Sequence, residues 1–71
     1  MLQTFTAVVH QEEEWYVAEC PEVGTASQGT SIEEAIANLR EATALYLEEF
    51  PRPKISHPII ATFDVPVPAH A

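Results

Sequence analysis

The chain has 71 residues and a formal net charge of −8, from eleven acidic and three basic side chains with the histidines taken as neutral. This length predicts a single domain with a small hydrophobic core. Nucleic-acid binding requires clustered positive charge, and only Arg40, Arg52 and Lys54 could supply it, so no direct binding of DNA or RNA is expected. The sequence shows neither a basic leader nor an apolar run of roughly 20 residues. We therefore expect no signal peptide, no membrane association and a cytoplasmic location.

The first half of the chain predicts a β-meander. Residues 2–10 alternate Phe5, Ala7 and Val9 with threonines and valine, which favours a strand. The polar connection "QEEE" leads into a second strand at residues 15–20, where Trp15, Val17 and Glu19 share one face. Pro21 cannot donate to a β-ladder and ends this strand. After a turn at Gly24, "TASQG" predicts a short third strand.

The next segment predicts an amphipathic helix. Its apolar face recurs at spacings of three and four and contains Ile32, Ala35, Ile36, Leu39, Ala42, Thr43, Tyr46, Leu47 and Phe50. Ser31 is placed as the N-cap, with Glu34 at the capping-box spacing. Packing of the apolar face on the sheet is expected to stabilise this helix more than its cap does. Pro51 and Pro53 are expected to end it.

The last part of the chain predicts a fourth strand at residues 59–65, "IIATFDV", again from alternation of apolar side chains. The predicted order is therefore β-β-β-α-β, an α+β fold with one helix packed on a small, mainly antiparallel sheet. We expect one domain over residues 1–65 and a flexible proline-rich tail over residues 66–71.

The segment "SQGTSIEE" could be either a phosphate-binding loop or a capped turn into the helix. A phosphate loop needs free backbone amides at a positive helix terminus. Here Ser31 occupies the cap, and Glu33 and Glu34 place negative charge on the first helical turn, which repels an anion. No lysine follows the glycine, as it does in nucleotide-binding loops. The segment is therefore interpreted as a turn and a cap.

The stretch "CPEVGTASQGTSIEEAIANL" resembles the signature of the HicB-type antitoxin N-terminal domain. The match consists of a Cys-Pro-acidic turn at residues 20–22, Ser-Gln-Gly at residues 27–29, a capped Glu-Glu-Ala helix start and Asn38. The upstream strand "WYVAEC" and the helix end "ALYLEEF" are also similar, so that the resemblance covers about residues 3–50.

The resemblance implies a partly degraded ribonuclease H-like fold and no catalytic activity. It also implies a partner, a small basic HicA-type toxin that cleaves mRNA through a histidine and that the antitoxin covers. The sequence departs from the family pattern in two places: Thr25 stands where a second cysteine is often found, and no DNA-binding segment follows residue 50. Operator binding is therefore not carried over to this chain.

Enzymatic chemistry has little support in the residues themselves. Ribonuclease H catalysis needs several carboxylates around two metal ions, yet the first predicted strand has none, and Glu19 and Asp64 are the only acids in the second and fourth. Cys20 could act as a nucleophile if a base lowered its pKa, but a packed, inert thiol is the favoured reading. His10, His57 and His70 have neither ligand spacing nor an orienting partner. We predict no catalytic residues, no metal and no cofactor.

Partner binding is predicted for the acidic hairpin and the residues near it. The candidate residues are Glu12, Glu13, Glu14, Trp15, Glu19 and Glu22. Trp15 has two readings, as a core or dimer contact and as an interface anchor. The glutamates are either a solvated hairpin tip or the rim of a surface for a basic protein.

Two functions follow from these observations. The first is a non-catalytic antitoxin-like protein that binds and neutralises a small basic HicA-type toxin. The second is a stand-alone homo-oligomeric HicB-like module without a toxin partner. With a single cysteine an internal disulfide is impossible, so self-association into a dimer or tetramer is the expected means of stabilising so small a domain.

Overall fold

The protein is described by a computed structural model that covers residues 2–51 and 54–69. Strand β1 spans Val8–Glu12, β2 spans Trp15–Cys20 and β3 spans Thr25–Gly29, and helix α1 follows at Ile32–Glu49. The strands form one antiparallel sheet in the order β1-β2-β3. Helix α1 packs across one face of this sheet, mainly over β3 and β2. The predicted α+β class, with one helix on an antiparallel sheet, is confirmed.

The first strand begins later than its sequence pattern predicts. Val8 pairs with Glu19, and β2 ends at Cys20 immediately before Pro21, so residues 2–7 extend past the partner strand and remain unpaired in the sheet. In this register β1 continues to Glu12, so the hairpin connection consists of Glu13 and Glu14 only and is shorter than the predicted residues 11–14. Glu13 adopts a φ of 57°, in the left-handed region that normally favours glycine.

Helix α1 starts with the predicted cap. Ser31 Oγ accepts a hydrogen bond from the Glu34 amide at 3.1 Å. In a standard capping box the glutamate side chain returns to the amide of the cap residue. Here Glu34 Oε1 instead accepts from the amide of the preceding residue, Thr30, at 2.8 Å. At the other end the Phe50 amide donates to the Tyr46 carbonyl at 2.8 Å, and Pro51 follows.

The core between α1 and the sheet consists of small side chains. Its buried apolar residues are Ala18, Cys20, Ala35 and Leu39, and the half-buried Phe5, Val9, Tyr16 and Val23 pack against them. Cys20 is the largest side chain that is fully buried. The expectation that the apolar face of α1 is buried throughout is met only in part, because Ile32, Ile36 and Phe50 stay substantially exposed.

The predicted fourth strand is not formed. Residues 54–69 contain no helix and no strand, and Ile59 and Phe63 are 93% and 86% exposed. Alternation of apolar side chains shows that a segment suits a half-buried pleated surface. A strand also needs a neighbouring edge for its backbone hydrogen bonds, and this segment does not lie along one. Among the described residues, no helix is long and apolar enough to cross a membrane.

Candidate partner-binding surface

One face of the sheet is covered by α1 and the other is uncovered. Ala18 and Cys20 are buried beneath the helix, so the alternate residues of β2 point to the opposite side. The strand register extends this side over all three strands. We call it the open face, and its residues are Val8, His10, Glu12, Trp15, Val17, Glu19, Ala26 and Gln28.

Three of the predicted partner-binding residues meet on the open face. Glu12 pairs directly with Trp15 across the β1–β2 ladder, and Glu19 lies on the same face of β2. Trp15 is 46% exposed, so it is not buried in the core of its own chain, and a dimer contact and an interface anchor both stay predictions for it. Glu13 and Glu14 form the hairpin turn at the end of this face. A large exposed aromatic side chain thereby shares one face with two carboxylates and lies next to one of them, that of Glu12.

The open face carries negative charge without lysine or arginine to offset it. Residues 8–29, which include all three strands, contain no Lys or Arg. The one polar pair on this face is exposed and joins His10 Nε2 to Glu12 Oε2 at 3.0 Å. A shallow depression beside it is lined by Glu12, Glu13, Trp15, Val17 and Gln28. The surface offers a partly apolar depression with an acidic rim.

Glu22 lies apart from this group, in the connection between β2 and β3. Its Oε1 accepts from the Thr6 amide at 2.9 Å and from Cys20 Sγ at 3.3 Å, and its Oε2 accepts from Thr6 Oγ1 at 2.5 Å. The Thr6 hydroxyl, followed by the Thr6 amide, lowers the pKa of Glu22 to about 2 from an ordinary value of 4.5. This carboxylate therefore holds the N-terminal segment against the β2–β3 turn.

Two parts of the stretch that resembles the HicB signature, residues 27–29 and the capped helix start, lie where β3 meets α1. A Cβ added to Gly29 would stand 2.6 Å from the Ala35 backbone nitrogen, so only glycine lets the strand approach the helix this closely. Asn38 Nδ2 donates to the Gln28 carbonyl at 2.8 Å and joins the same two elements. The glycine that could have marked a phosphate loop is thus explained by packing.

Cys20 is placed for packing. It is buried under α1, and its Sγ donates to the Glu22 carboxylate. His10 belongs to the open face, on the opposite side of the sheet. Within residues 2–51 and 54–69, no three His, Cys, Asp or Glu side chains are arranged to hold a metal ion.

Sequence reasoning missed five of the eight residues of the open face. These residues were not selected because the prediction followed charge along the hairpin and did not use the strand register; they are Val8, His10, Val17, Ala26 and Gln28. The available signal was the alternation along each strand: once one residue of β2 is assigned to the helix side, its neighbours belong to the other side.

Comparison with known proteins adds no assignment. No protein-family model matches this chain, and neither the curated proteins nor the solved structures yielded a match.

Proposed function

We propose that this chain is a non-catalytic binding protein of the cytoplasm, an antitoxin-like protein that covers a small basic HicA-type toxin. The observation that carries the proposal is the open face, which presents the exposed Trp15 beside Glu12 and Glu19 further along β2, with no Lys or Arg on the three strands. The ribonuclease H-like ancestry implied by the HicB resemblance is part of the same proposal.

The chemistry of the open face suits a basic protein partner. Aromatic side chains near the centre of an interface contribute much of its binding energy, and Trp15 offers such an anchor. Surrounding carboxylates accelerate encounter with a positively charged partner and favour it over acidic ones. Inhibition would operate by occlusion, since a toxin whose basic surface is occupied by this face cannot bind RNA.

Acidity is also concentrated in the part of the chain that carries the open face. Residues 1–50 contain ten acidic side chains and one basic side chain, Arg40, which gives a charge of −9. The remaining residues contain Arg52, Lys54 and Asp64, which gives +1. A basic partner would therefore be drawn to the sheet and helix, and its binding should weaken as salt screens the charges.

The proposal is tested with the product of a neighbouring reading frame that encodes a short basic protein with one central histidine. Expression of that protein alone should stop growth, and co-expression of this chain should restore it. Calorimetry on the purified pair should show binding that weakens as salt rises. Replacing Glu12→Gln and Glu19→Gln together should weaken binding by about tenfold or more, because both charges lie on the face that carries the Trp15 anchor.

A matched control separates the open face from net charge alone. Glu33→Gln with Glu48→Gln removes the same two charges from exposed positions on α1. This double variant should bind nearly as tightly as the unmodified chain. Equal weakening by both double variants, or the absence of any binding to a toxin of this kind, would contradict the proposal.

A second candidate function is favoured by a different observation. Ile59, Phe63 and Val67 are strongly exposed, and exposed apolar side chains in sequence mark an interaction segment. A stand-alone homo-oligomeric module would use this segment without any toxin. Self-association of a chain that binds no toxin of this kind would favour this second candidate.

A further inference from the structure

Residues 54–69, which we call the arm, display an apolar stripe without a surface to cover it. Ile59, Ala61, Phe63, Val65 and Val67 occupy alternate positions and would share one side of an extended strand. The large members of this stripe are between 60% and 93% exposed. The arm therefore has the side-chain pattern of a strand with one buried face, although no surface of the described chain covers its apolar stripe.

The sheet and helix offer a matching place for such a strand. A groove of about 380 Å³ lies between residues 3–7 and α1, and its apolar lining includes Phe5, Ile36, Leu39 and Leu47. Helix α1 packs chiefly over β3 and β2 and least over β1, so this side of the core is left open. Residues 3–7 lead directly into β1, which is an edge strand. A strand added along this edge and continuing beside residues 3–7 would direct alternate side chains into the groove.

The arm does not fill this groove in its own chain. The Ser56 amide donates to the Glu22 carbonyl at 3.0 Å, which fixes the start of the arm at the β2–β3 turn. The radius of gyration is 15.0 Å and the longest dimension is 49 Å, whereas a compact chain of this length has a radius of gyration of about 11 Å. The arm thus reaches outward, where a second molecule can meet it.

The charge distribution leaves the arm free to approach a second copy. Residues 1–50 have a charge of −9, whereas residues 54–69 contain Lys54 and Asp64 and have no net charge. Two acidic bodies repel each other, but the uncharged arm can approach the body of a second copy with little repulsion. In a dimer with two-fold symmetry, each arm would occupy the groove of the other copy, and neither groove would stay uncovered.

We infer that the arm of one copy adds as a fourth strand to the β1 edge of a second copy, with Ile59, Phe63 and Val65 entering the groove beside Ile36. The exchange is reciprocal and gives a two-fold dimer. Pro58, Pro66 and Pro68 cannot donate backbone hydrogen bonds, which confines pairing to the segment between them. The same prolines on the outer edge disfavour the addition of further strands.

The test begins with the molar mass of the full chain measured by light scattering during size-exclusion chromatography. The chain should run at twice its mass of 7.9 kDa. Phe63→Glu should raise the dimer dissociation constant by roughly 30-fold or more, as loss of a buried aromatic anchor does. Leu45→Glu, at an exposed apolar position of α1 outside the groove, should leave the dimer intact.

Mixing two defective variants distinguishes exchange from other modes of association. Phe63→Glu damages the arm and Ile36→Glu damages the groove, so each variant alone should be monomeric. An equimolar mixture should recover a heterodimer, because one intact arm still finds one intact groove. Circular dichroism of each variant verifies the fold, and Phe63→Glu changes an exposed side chain of the arm.

A variant-free measurement covers the case in which Ile36→Glu fails to fold. In a mixture of isotope-labelled and unlabelled wild-type chains, nuclear Overhauser effects should link the Phe63 ring of one copy to the Ile36 methyl groups of the other. A monomeric wild type, contacts from Phe63 to the groove of its own chain, or a dimer insensitive to Phe63→Glu would each overturn the inference.

Discussion

The two sides of the sheet differ in how much their side chains are constrained. On the side facing α1, Gly29, Ala18 and Ala35 leave little room for any larger group. On the open face, Trp15 and Glu19 project into solvent. The side that faces α1 determines whether the chain folds, and the open face determines what the chain can bind. Substitutions should therefore affect stability on one side and recognition on the other.

The largest expected effect is at the junction of β3 and α1. Gly29→Ala places a methyl group 2.6 Å from the Ala35 nitrogen and 2.9 Å from the Glu34 carbonyl carbon. Backbone atoms cannot move aside as a flexible side chain can, so the free energy of unfolding should fall by about 3 kcal/mol. Urea denaturation measures it. The neighbouring Gln28→Ala, on the open face, should change stability by less than about 0.5 kcal/mol.

A smaller effect is expected at the hydroxyl pair beneath the helix. Thr43 is buried, and its Oγ1 lies 2.7 Å from Thr25 Oγ1. Thr43→Val should cost about 1–2 kcal/mol, because it leaves the Thr25 hydroxyl without its partner. The double variant Thr25→Val/Thr43→Val should recover part of that loss, since both polar groups are then removed. If the double variant lost more unfolding free energy than the two single variants lose together, the result would contradict this interpretation.

The third substitution should stabilise the hairpin at the end of the open face. Glu13 has a φ of 57°, where a residue with a Cβ is strained by roughly 1–2 kcal/mol. Glu13→Gly should raise the free energy of unfolding by about 1 kcal/mol, part of the relief being offset by the flexibility of glycine in the unfolded chain. Glu14→Gly is the matched control in the same turn and should give no gain. A loss of stability in Glu13→Gly would contradict the strain argument.

The fourth prediction concerns the pH dependence of the contact between Glu22 and the N-terminal segment. The folded pKa of Glu22, about 2, is below its ordinary value of 4.5. Its ionised form therefore stabilises the fold fully above pH 4.5, and this contribution is lost as the pH falls from 4.5 to about 2. The Thr6 amide resonance should move through this window as the N-terminal segment detaches. Glu22→Gln should abolish this pH dependence, while Glu48→Gln, which makes the same charge change on α1, should preserve it.

Local patterns predicted the elements whose partners are close in sequence. The bounds of β2 and β3 and the cap of α1 follow from Pro21, Gly24 and Ser31 with Glu34, each of which acts on its own neighbourhood. The extent of β1 depends on where its partner strand β2 ends, so the sequence pattern alone predicted a start for β1 that is too early in the chain. Residues 59–65 alternate in polarity as a strand does, but a sequence pattern cannot show whether the edge of a neighbouring strand is available for pairing.

The candidate surface was predictable only as a set of charges. Glu12, Trp15 and Glu19 were identified from composition, and the strand register then brought them together. Glu22 looked like part of the same rim, yet the extended N-terminal segment brings Thr6 to its carboxylate from sixteen residues away. Such a contact depends on the path of the whole chain and leaves no local signal in the sequence.

The small core described above has a consequence for the lifetime of the protein. A chain in which the largest fully buried side chain is a cysteine is expected to have a small free energy of unfolding, so that it opens more often than a domain with a larger core. Anything that binds only the folded form then sets how long a molecule survives proteolysis. The abundance of this protein should therefore follow the abundance of whatever occupies its surfaces.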